Sequence, residues 1–447
     1  MTDFLQLRSL KTLEVVSDED GYIVKAEGVS SWTVCPLCKR GRLYGHGSQE
    51  QSFQDTPSHG KPVEVFIQRR RYRCQGCGKT LFEPVADFDG KRQATARLVA
   101  YIRKESFTKT FAALAREVAL DEKTIRHIFD DFVEEFEAKV RFQTPRILGI
   151  DELKIIGHYR AMITNVERKT VFDLRPSRAK ADLLPYFRTL RDKDTIEWVA
   201  MDMYHVYKQV VRATLPQARI VVDRFHIQRM ANDALEKLRK RIRKDLPTRQ
   251  RLRLKDERFL LLKRQHDLNG EDMARALEWF RQFPQLGEAH ALKEGFLSIW
   301  DHKTRAEAEA ACVHWLSNIP SELATAFKDL TKAIHNWHDE IFAYFDQPIT
   351  NAYTESVNRL AKDMNRMGRG YSFEVIRARM LYDAKARKDG VVFETVLVDD
   401  EGPVTTNRQF QRMAAMPSIR TKQVKRVIEY GPYIPTLARL LEEGYFE

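Results

Sequence analysis

A multidomain α+β fold is predicted for this chain on three observations. Four of its five cysteines form two Cys-x-x-Cys pairs near the N-terminus. Apolar residues at helical spacing follow, with one short break. After Pro145, three closely spaced apolar runs lead into alternating helix and strand patterns, which a long and almost purely helical stretch interrupts. At 447 residues the chain exceeds a single core and should hold two or three domains.

The formal net charge is +12, from 75 Lys+Arg against 63 Asp+Glu, which suits a polyanionic partner such as nucleic acid. No 18 consecutive residues are apolar, so no membrane partner is expected. The N-terminus has scattered charges and no signal-peptide pattern, so a cytoplasmic, nucleoid-associated protein is expected. No phosphate-cradling glycine loop occurs, so no nucleotide cofactor is indicated.

The run TVCPLCKRGRLYGHG carries Cys35 and Cys38, and RRRYRCQGCGKTLFEP carries Cys74 and Cys77, with Gly41 and Gly78 following the pairs. Two thiolates presented from such turns can face one ion, and tetrahedral zinc takes four at about 2.3 Å. Between the pairs Val63, Val65 and Ile67 alternate with polar residues, as in a strand. A zinc ribbon over residues 1–90 is expected, with Zn²⁺ structural because four sulfurs close its shell. His46 and His59 could substitute as ligands. A redox pair or a disulfide has the same spacing, but an intracellular chain favours metal. The basic run Arg69, Arg70, Arg71 and Arg73 is a candidate DNA contact.

Over residues 91–144 apolar positions recur at Leu98, Ile102, Phe111, Leu114, Ala115 and Val118, then at Ile125, Ile128, Phe129 and Phe132. Asp121 is placed to cap the last helix, with Thr124 three residues on. Helix, short turn, helix is the helix-turn-helix pattern, whose second helix, here about 122–133, would enter a major groove. Lys123, Thr124, Arg126 and His127 are its candidate contacts. An ordinary helical hairpin has the same periodicity.

RILGIDELKII, YRAMITNVE and KTVFDLRP read as an antiparallel meander. A helix (KADLLPYFRTLRD), a strand (IEWVAMD), a helix (HVYKQVVRATLP) and a strand (ARIVVD) follow. Three strands and then alternating helix and strand is the order of the ribonuclease-H-like fold, which sets acids at the ends of its first and fourth strands. Asp151 ends the first run and Asp202 the fourth. Two buried carboxylates repel and raise a pKa unless a cation lies between them. Mg²⁺ (or Mn²⁺) removes that cost, and two such ions about 3.5–4 Å apart stabilise both oxygens of an in-line phosphoryl displacement. Glu152 neighbours Asp151 in a strand and must face the other way. A third acid should come from a helix, and Glu355 in PITNAYTESVNRLAKDMNRMGRGYS is the candidate. Val357, Leu360, Ala361 and Met364 would form that helix's buried face, leaving Asn358 and Lys362 to position phosphate.

Taken in order, CPLC, RRRYRCQGCGKTLFE, LGIDELKI, VAMDMYHVYKQ, IVVDRFHIQR and TNAYTESVNRLAK resemble the IS-L-three family of DDE insertion-sequence transposases. The likeness runs from about residue 35 to 370. It implies that Asp151, Asp202 and Glu355 are the catalytic, metal-holding trio, and that Asp223 and His226 are an auxiliary Asp-x-x-His element. It also implies hydrolysis at element ends followed by joining of the freed 3′ ends to target DNA. The partners would be double-stranded DNA (terminal inverted repeats and target) and a second copy of the chain, as a homodimer or higher. A zinc-ribbon transcriptional regulator would account for the first 140 residues without the acids. A ribonuclease-H-like nuclease would share the core chemistry without joining.

Asp202 and Glu355 are separated by 152 residues, which read as an all-helical insertion over 230–345 between core segments 145–229 and 346–390. From Glu236 to Arg264 there are 13 Lys/Arg against four Asp/Glu. A basic face carrying Arg239, Lys240, Arg241, Arg243 and Lys244 could therefore hold phosphates, unless it is simply a solvated helix surface. Trp279, Trp300, Trp315 and Trp337 are expected in a core, as is Cys312. Residues 391–447 read as a helical tail.

Overall fold

The protein is described from a computed structural model that defines residues 4–29, 31–382 and 393–395. The expected helical tail therefore lies outside the described residues, apart from 393–395. Its contacts divide the chain into two units near residue 141.

In the first unit the alternation of Val63, Val65 and Ile67 does what it predicts: all three are buried on one face of a strand. The strands are β1 (Leu10–Ser17), β2 (Tyr22–Gly28), β3 (Leu43–Ser58), β4 (Lys61–Cys74) and β5 (Thr80–Phe82). They form one sheet in the order β1-β2-β4-β3, with β5 on β4. The first two strands have no counterpart in the sequence analysis, because β1 is an edge strand with exposed Leu13, Val15 and Val16 and shows no clean alternation.

Helices α1 (Ala96–Glu105), α2 (Phe111–Val118) and α3 (Glu122–Lys139) come next. Leu98, Ile102, Phe111, Leu114, Val118, Ile125, Ile128 and Phe129 are buried among them. Ala119 takes a left-handed conformation at the turn between α2 and α3. Asp121 caps α3 as expected, accepting from Thr124 N at 2.9 Å and from Thr124 Oγ1 at 2.6 Å. Asp55 on β3 is buried and accepts from Thr95 Oγ1 at 2.6 Å and Arg97 Nε at 2.8 Å, tying the sheet to the start of α1.

The second unit follows a short strand, β6 (Val140–Phe142). It is built on β7 (Ile147–Ile155), β8 (His158–Asn165), β9 (Thr170–Arg175), β10 (Trp198–Met201) and β11 (Arg219–Val222), in the order β11-β10-β7-β8-β9. The β7-β8-β9 meander is antiparallel, whereas β10 runs parallel to β7 and β11 parallel to β10. Helices α4 (Lys180–Thr189) and α5 (His205–Thr214) supply the crossovers. Their Leu183, Phe187, Tyr207 and Val211 pack on Leu148, Ile150 and Met201 of the sheet.

After β11 the chain is helical: α6 (Arg224–Lys244), α7 (Thr248–Asp256), α8 (Arg258–Leu262), α9 (Gly270–Gln282), α10 (Pro284–Leu297), α11 (Arg305–Ser317), α12 (Ser321–Asn336) and α13 (His338–Phe342). These share a core of their own, in which all four expected tryptophans and Cys312 are buried. The helical stretch starts at Arg224, immediately after β11, so one unbroken helix leads from the sheet into the insertion. Two further helices, α14 (Ala352–Met367) and α15 (Phe373–Tyr382), complete the described chain, and α14 returns to pack on β7 and β8. Val357 and Ala361 are buried on α14, but Leu360 and Met364 are only half-buried, so its apolar face is narrower than the sequence suggests. The remaining inward positions are the aromatic Tyr353 and the polar Thr354 and Asn358.

Candidate functional site

In the first unit Cys35 Sγ lies 3.8 Å from Cys77 Sγ, and Cys38 Sγ lies 3.6 Å from Cys74 Sγ. All four sulfurs fall within 4.8 Å of one another, and none is in a disulfide. Four sulfurs at about 2.3 Å from one ion would stand about 3.8 Å apart, so the set fits a tetrahedral zinc. Gly41 makes room for it, since a Cβ there would lie 2.2 Å from Cys74 Sγ. Backbone N–H groups of Arg40 and Gly41 help hold the Cys38 thiol well below its usual range, at about 6.

In the second unit Ile150, Met201 and Val222 stand side by side in register on β7, β10 and β11. The next residue of each segment is an aspartate, so Asp151, Asp202 and Asp223 form a row across the sheet. The sequence places Asp151 at the end of its strand, yet β7 continues to Ile155 paired with β8. What ends beside Asp151 is the pairing with β10, and that break leaves room for side chains between the strands.

Glu355 comes from the first turn of α14. A buried polar seam seats that helix: Asn351 Nδ2 donates to Ile150 O at 3.2 Å, and Asn358 Nδ2 donates to Asp151 Oδ2 at 2.7 Å. Thr354 Oγ1 donates to Asn351 Oδ1 at 2.5 Å and lies 2.7 Å from Thr164 Oγ1. Gly149 permits this approach, because a Cβ there would lie 2.5–2.8 Å from Thr164 Oγ1, Thr354 Oγ1 and Asn351 Oδ1.

His226, in the first turn of α6, places Nε2 3.1 Å from Glu355 Oε1 and 3.2 Å from Asp202 Oδ1. A single Nε2–H serves one acceptor: Glu355 takes the hydrogen bond, and buried Asp202 Oδ1 has none. Burial and then the charge of Asp202 push Asp151 up to about 8. Burial and then Asp223 push Asp202 up to about 7. A buried acid pair that resists ionisation, with an oxygen lacking a donor, is a donor set suited to a hard divalent cation. Among the described residues the cysteines are the only set of three or more such ligands within 4.8 Å of one another, so the acids and His226 are more widely spread than that. Asp223 is different in kind, since both its oxygens accept backbone N–H groups, from Phe225 at 2.9 Å and Asn351 at 2.7 Å.

The sequence profile of an IS-L-three DDE family, described as transposase, matches residues 148–380. A profile described as the zinc-finger of transposase IS204/IS1001/IS1096/IS1165 matches residues 32–77. This chain belongs to the IS-L-three family of DDE transposases. Among its relatives, the transposase for insertion sequence element IS1001 of Bordetella parapertussis is 22% identical over 366 residues, spanning 79% of this chain and 90% of the relative. The transposase for insertion sequence element IS1557 of Mycobacterium tuberculosis is 26% identical over 259 residues, or 52% of this chain and 58% of the relative.

The remaining expected contacts of the transposase fall into different settings. Lys123 and His127 are exposed on α3, while Thr124 and Arg126 are half-buried, Arg126 beside Glu122 at 3.4 Å. Arg69 donates to Glu83 O at 3.0 and 3.1 Å, and Arg70 pairs with the buried Glu83 carboxylate at 2.6 Å, so both brace β4 against the segment after β5. Arg71 is half-buried, and Arg73 is exposed with Nε donating to Gly78 O at 3.3 Å. On α6 Lys240, Arg241 and Lys244 are exposed and Arg243 is half-buried. Arg239 is a correction: it is buried, pairs with Glu236 at 2.7 Å and donates to Leu254 O at 2.6 Å, so it pins α6 to α7 and is not on the basic face. Asn358 is a second one, because its amide is engaged by Asp151 and Glu152 O rather than turned outward to phosphate.

Pro348 and the Thr350/Asn351 pair read as a helix entry, and Asn351 does stand at the N-cap of α14, but Thr354 and the inward partnering of Asn351 and Asn358 escaped the sequence analysis. The signal was present, since 351, 354, 355 and 358 have the i, i+3, i+4, i+7 spacing of one helix face. A polar face reads as solvent-exposed until the strand it packs on is known.

Proposed function

We propose that this transposase binds the terminal inverted repeats of its element, hydrolyses a phosphodiester at each end and joins the freed 3′ ends to target DNA by transesterification. The β11-β10-β7-β8-β9 order supports reading the second unit as a ribonuclease-H-like core interrupted by an all-helical insertion. The observation that carries the proposal is that Asp202, after a strand, and Glu355, on a helix beyond the insertion, both meet the imidazole of His226, with Asp151 near enough to feel the charges of all three. Asp151, Asp202 and Glu355 would hold Mg²⁺ (or Mn²⁺), which when bound supplies charge neutralisation at the phosphate and lowers the pKa of the attacking group. Asn358 orients the Asp151 carboxylate, His226 holds Glu355 toward Asp202, and Asp223 fixes the starts of both helices. Four cysteines would hold a structural Zn²⁺ in the ribbon, while Lys123, Thr124, Arg126 and His127 of α3 read the repeat in a major groove. Arg71, Arg73, Lys240, Arg241, Arg243 and Lys244 would hold backbone phosphates. Joining two ends calls for a homodimer or larger assembly on the DNA.

The test is cleavage of a duplex that carries one element end, with Mg²⁺ present. Asp151→Asn, Asp202→Asn and Glu355→Gln should each bind the end as wild type does and fail to nick it. Nicking by any of the three would remove that residue from the site.

A further inference from the structure

Glu152, facing away from Asp151, opens onto a cleft of about 350 Å³ that also takes in Asp202, His226, Arg178, Tyr204 and Tyr207. Two features of this cleft suit an anionic ligand. The Arg178 guanidinium lies 4.0 Å from the ring centroid of Tyr159 and 4.8 Å from that of Tyr204, while pairing with Glu152. Stacked on two rings, its fork is oriented before anything binds, and a planar fork is the group that meets a phosphate through two parallel hydrogen bonds. Five N–H donors let it serve Glu152 and an incoming anion together.

The second feature is Tyr207 on α5. It is 1% exposed, and its ring sits edge-on to Tyr204 at 5.0 Å and 88°. Its hydroxyl is buried without a hydrogen-bond partner, close enough to Asp151, Arg178 and Asp202 to feel their charges. A buried O–H with no acceptor is costly, and phenylalanine would fill the same space without that cost. A donor kept unpaired at the edge of a reaction site is explained by an acceptor that arrives with the substrate.

We infer that Arg178 and the Tyr207 hydroxyl form a phosphate subsite, which grips a backbone phosphate adjacent to the one being cut. The inference rests on the proposed catalytic reading and adds two positioning residues to it. Beside three acids a DNA phosphate is repelled, and a fixed cation with a neutral donor offsets that repulsion at one position.

The experiment uses the full chain, Mg²⁺ and duplexes of one element end. Tyr207→Phe and Arg178→Ala should each lower kcat for nicking about tenfold or more, with end affinity within about twofold of wild type. Arg178→Lys should not restore the rate, and Tyr207→Phe should melt no lower than wild type. Neutral methylphosphonates are then placed one at a time around the cut. At one position next to it, wild type should slow to the rate of Arg178→Ala, and neither variant should slow further there. Full activity of Tyr207→Phe, or equal extra loss in the variants at every methylphosphonate position, would overturn the subsite. Absence of nicking by wild type would instead bring down the catalytic reading, and the subsite with it.

Discussion

The backbone amide of Asn351 donates a 2.7 Å hydrogen bond to the buried carboxylate of Asp223, so the residue that precedes α14 is anchored to the residue that precedes α6. The other Asp223 oxygen takes the Phe225 amide. One carboxylate thus sets where both helices begin, and with them His226 and Glu355.

Replacing Asp223 by alanine removes a helix cap and leaves a buried N–H without an acceptor, a combined loss of about 2–4 kcal/mol. Asp223→Asn keeps one acceptor and should lose less. Urea titration gives the ranking, and the Mg²⁺ concentration for half-maximal nicking should rise in the same order. Equal stability of wild type and Asp223→Ala would refute the shared anchor.

Gly149 supports the same seam from the strand side. In Gly149→Ala the added methyl meets three buried polar oxygens at 2.5–2.8 Å, and α14 must move away from β7. The expected cost is about 1–3 kcal/mol, with nicking lost because Glu355 moves with its helix. A crystal structure of the variant with α14 unshifted would contradict this.

The acid pair gives a pH signature. Burial, with the charge of Asp202 on Asp151 and of Asp223 on Asp202, pushes these two carboxyls up to about 8 and about 7 from the ordinary 3.8, so the fold holds protons that the unfolded chain releases. Stability of the metal-free protein should therefore fall from about pH 4, where the unfolded carboxyls ionise, and level off by about pH 8. Divalent metal binds the ionised form, so the rise in Tm on adding Mg²⁺ should grow between pH 6 and 8. The double variant Asp151→Asn/Asp202→Asn should show neither trend in calorimetry. A wild-type curve that coincides with the double variant would show that the pair is not coupled to folding.

Zinc should behave quite differently. One equivalent is expected per chain, lost in Cys38→Ser or on strong chelation, with specific end binding lost at the same time. Metal analysis together with fluorescence anisotropy on repeat DNA checks both. Retention of sequence-specific binding by zinc-free protein would make the ribbon dispensable.

Much of the fold was legible because the burial pattern is one-sided in this chain. The helical stretch of the first unit with its break before α3 and the five strands of the second follow from apolar spacing, and the four insertion tryptophans lie in a core as expected, whereas the break between α1 and α2 does not follow. Strands β1 and β2 did not, since an edge strand with outward Leu13, Val15 and Val16 lacks alternation. In the site, the aspartates were readable as acids closing apolar runs, but the row they form needs the register of β7, β10 and β11. Arg239 shows the converse: a run of positive charge on a helix does not reveal which member turns inward to Glu236. Tyr207 carries no sequence signal at all, because an unsatisfied hydroxyl is a property of its surroundings.

The long helical stretch between β11 and α14 also has a bearing on the safety of the host. Any polypeptide that stops after Asp223 and before Asn351, through a nonsense codon, a frameshift or a stalled ribosome, contains both strand aspartates and the zinc cysteines. It lacks Glu355, the Asn358 amide on Asp151 and the Asn351 amide that Asp223 anchors. On the proposed reading, such incomplete products would occupy element ends without breaking the chromosome and would compete there with the finished protein.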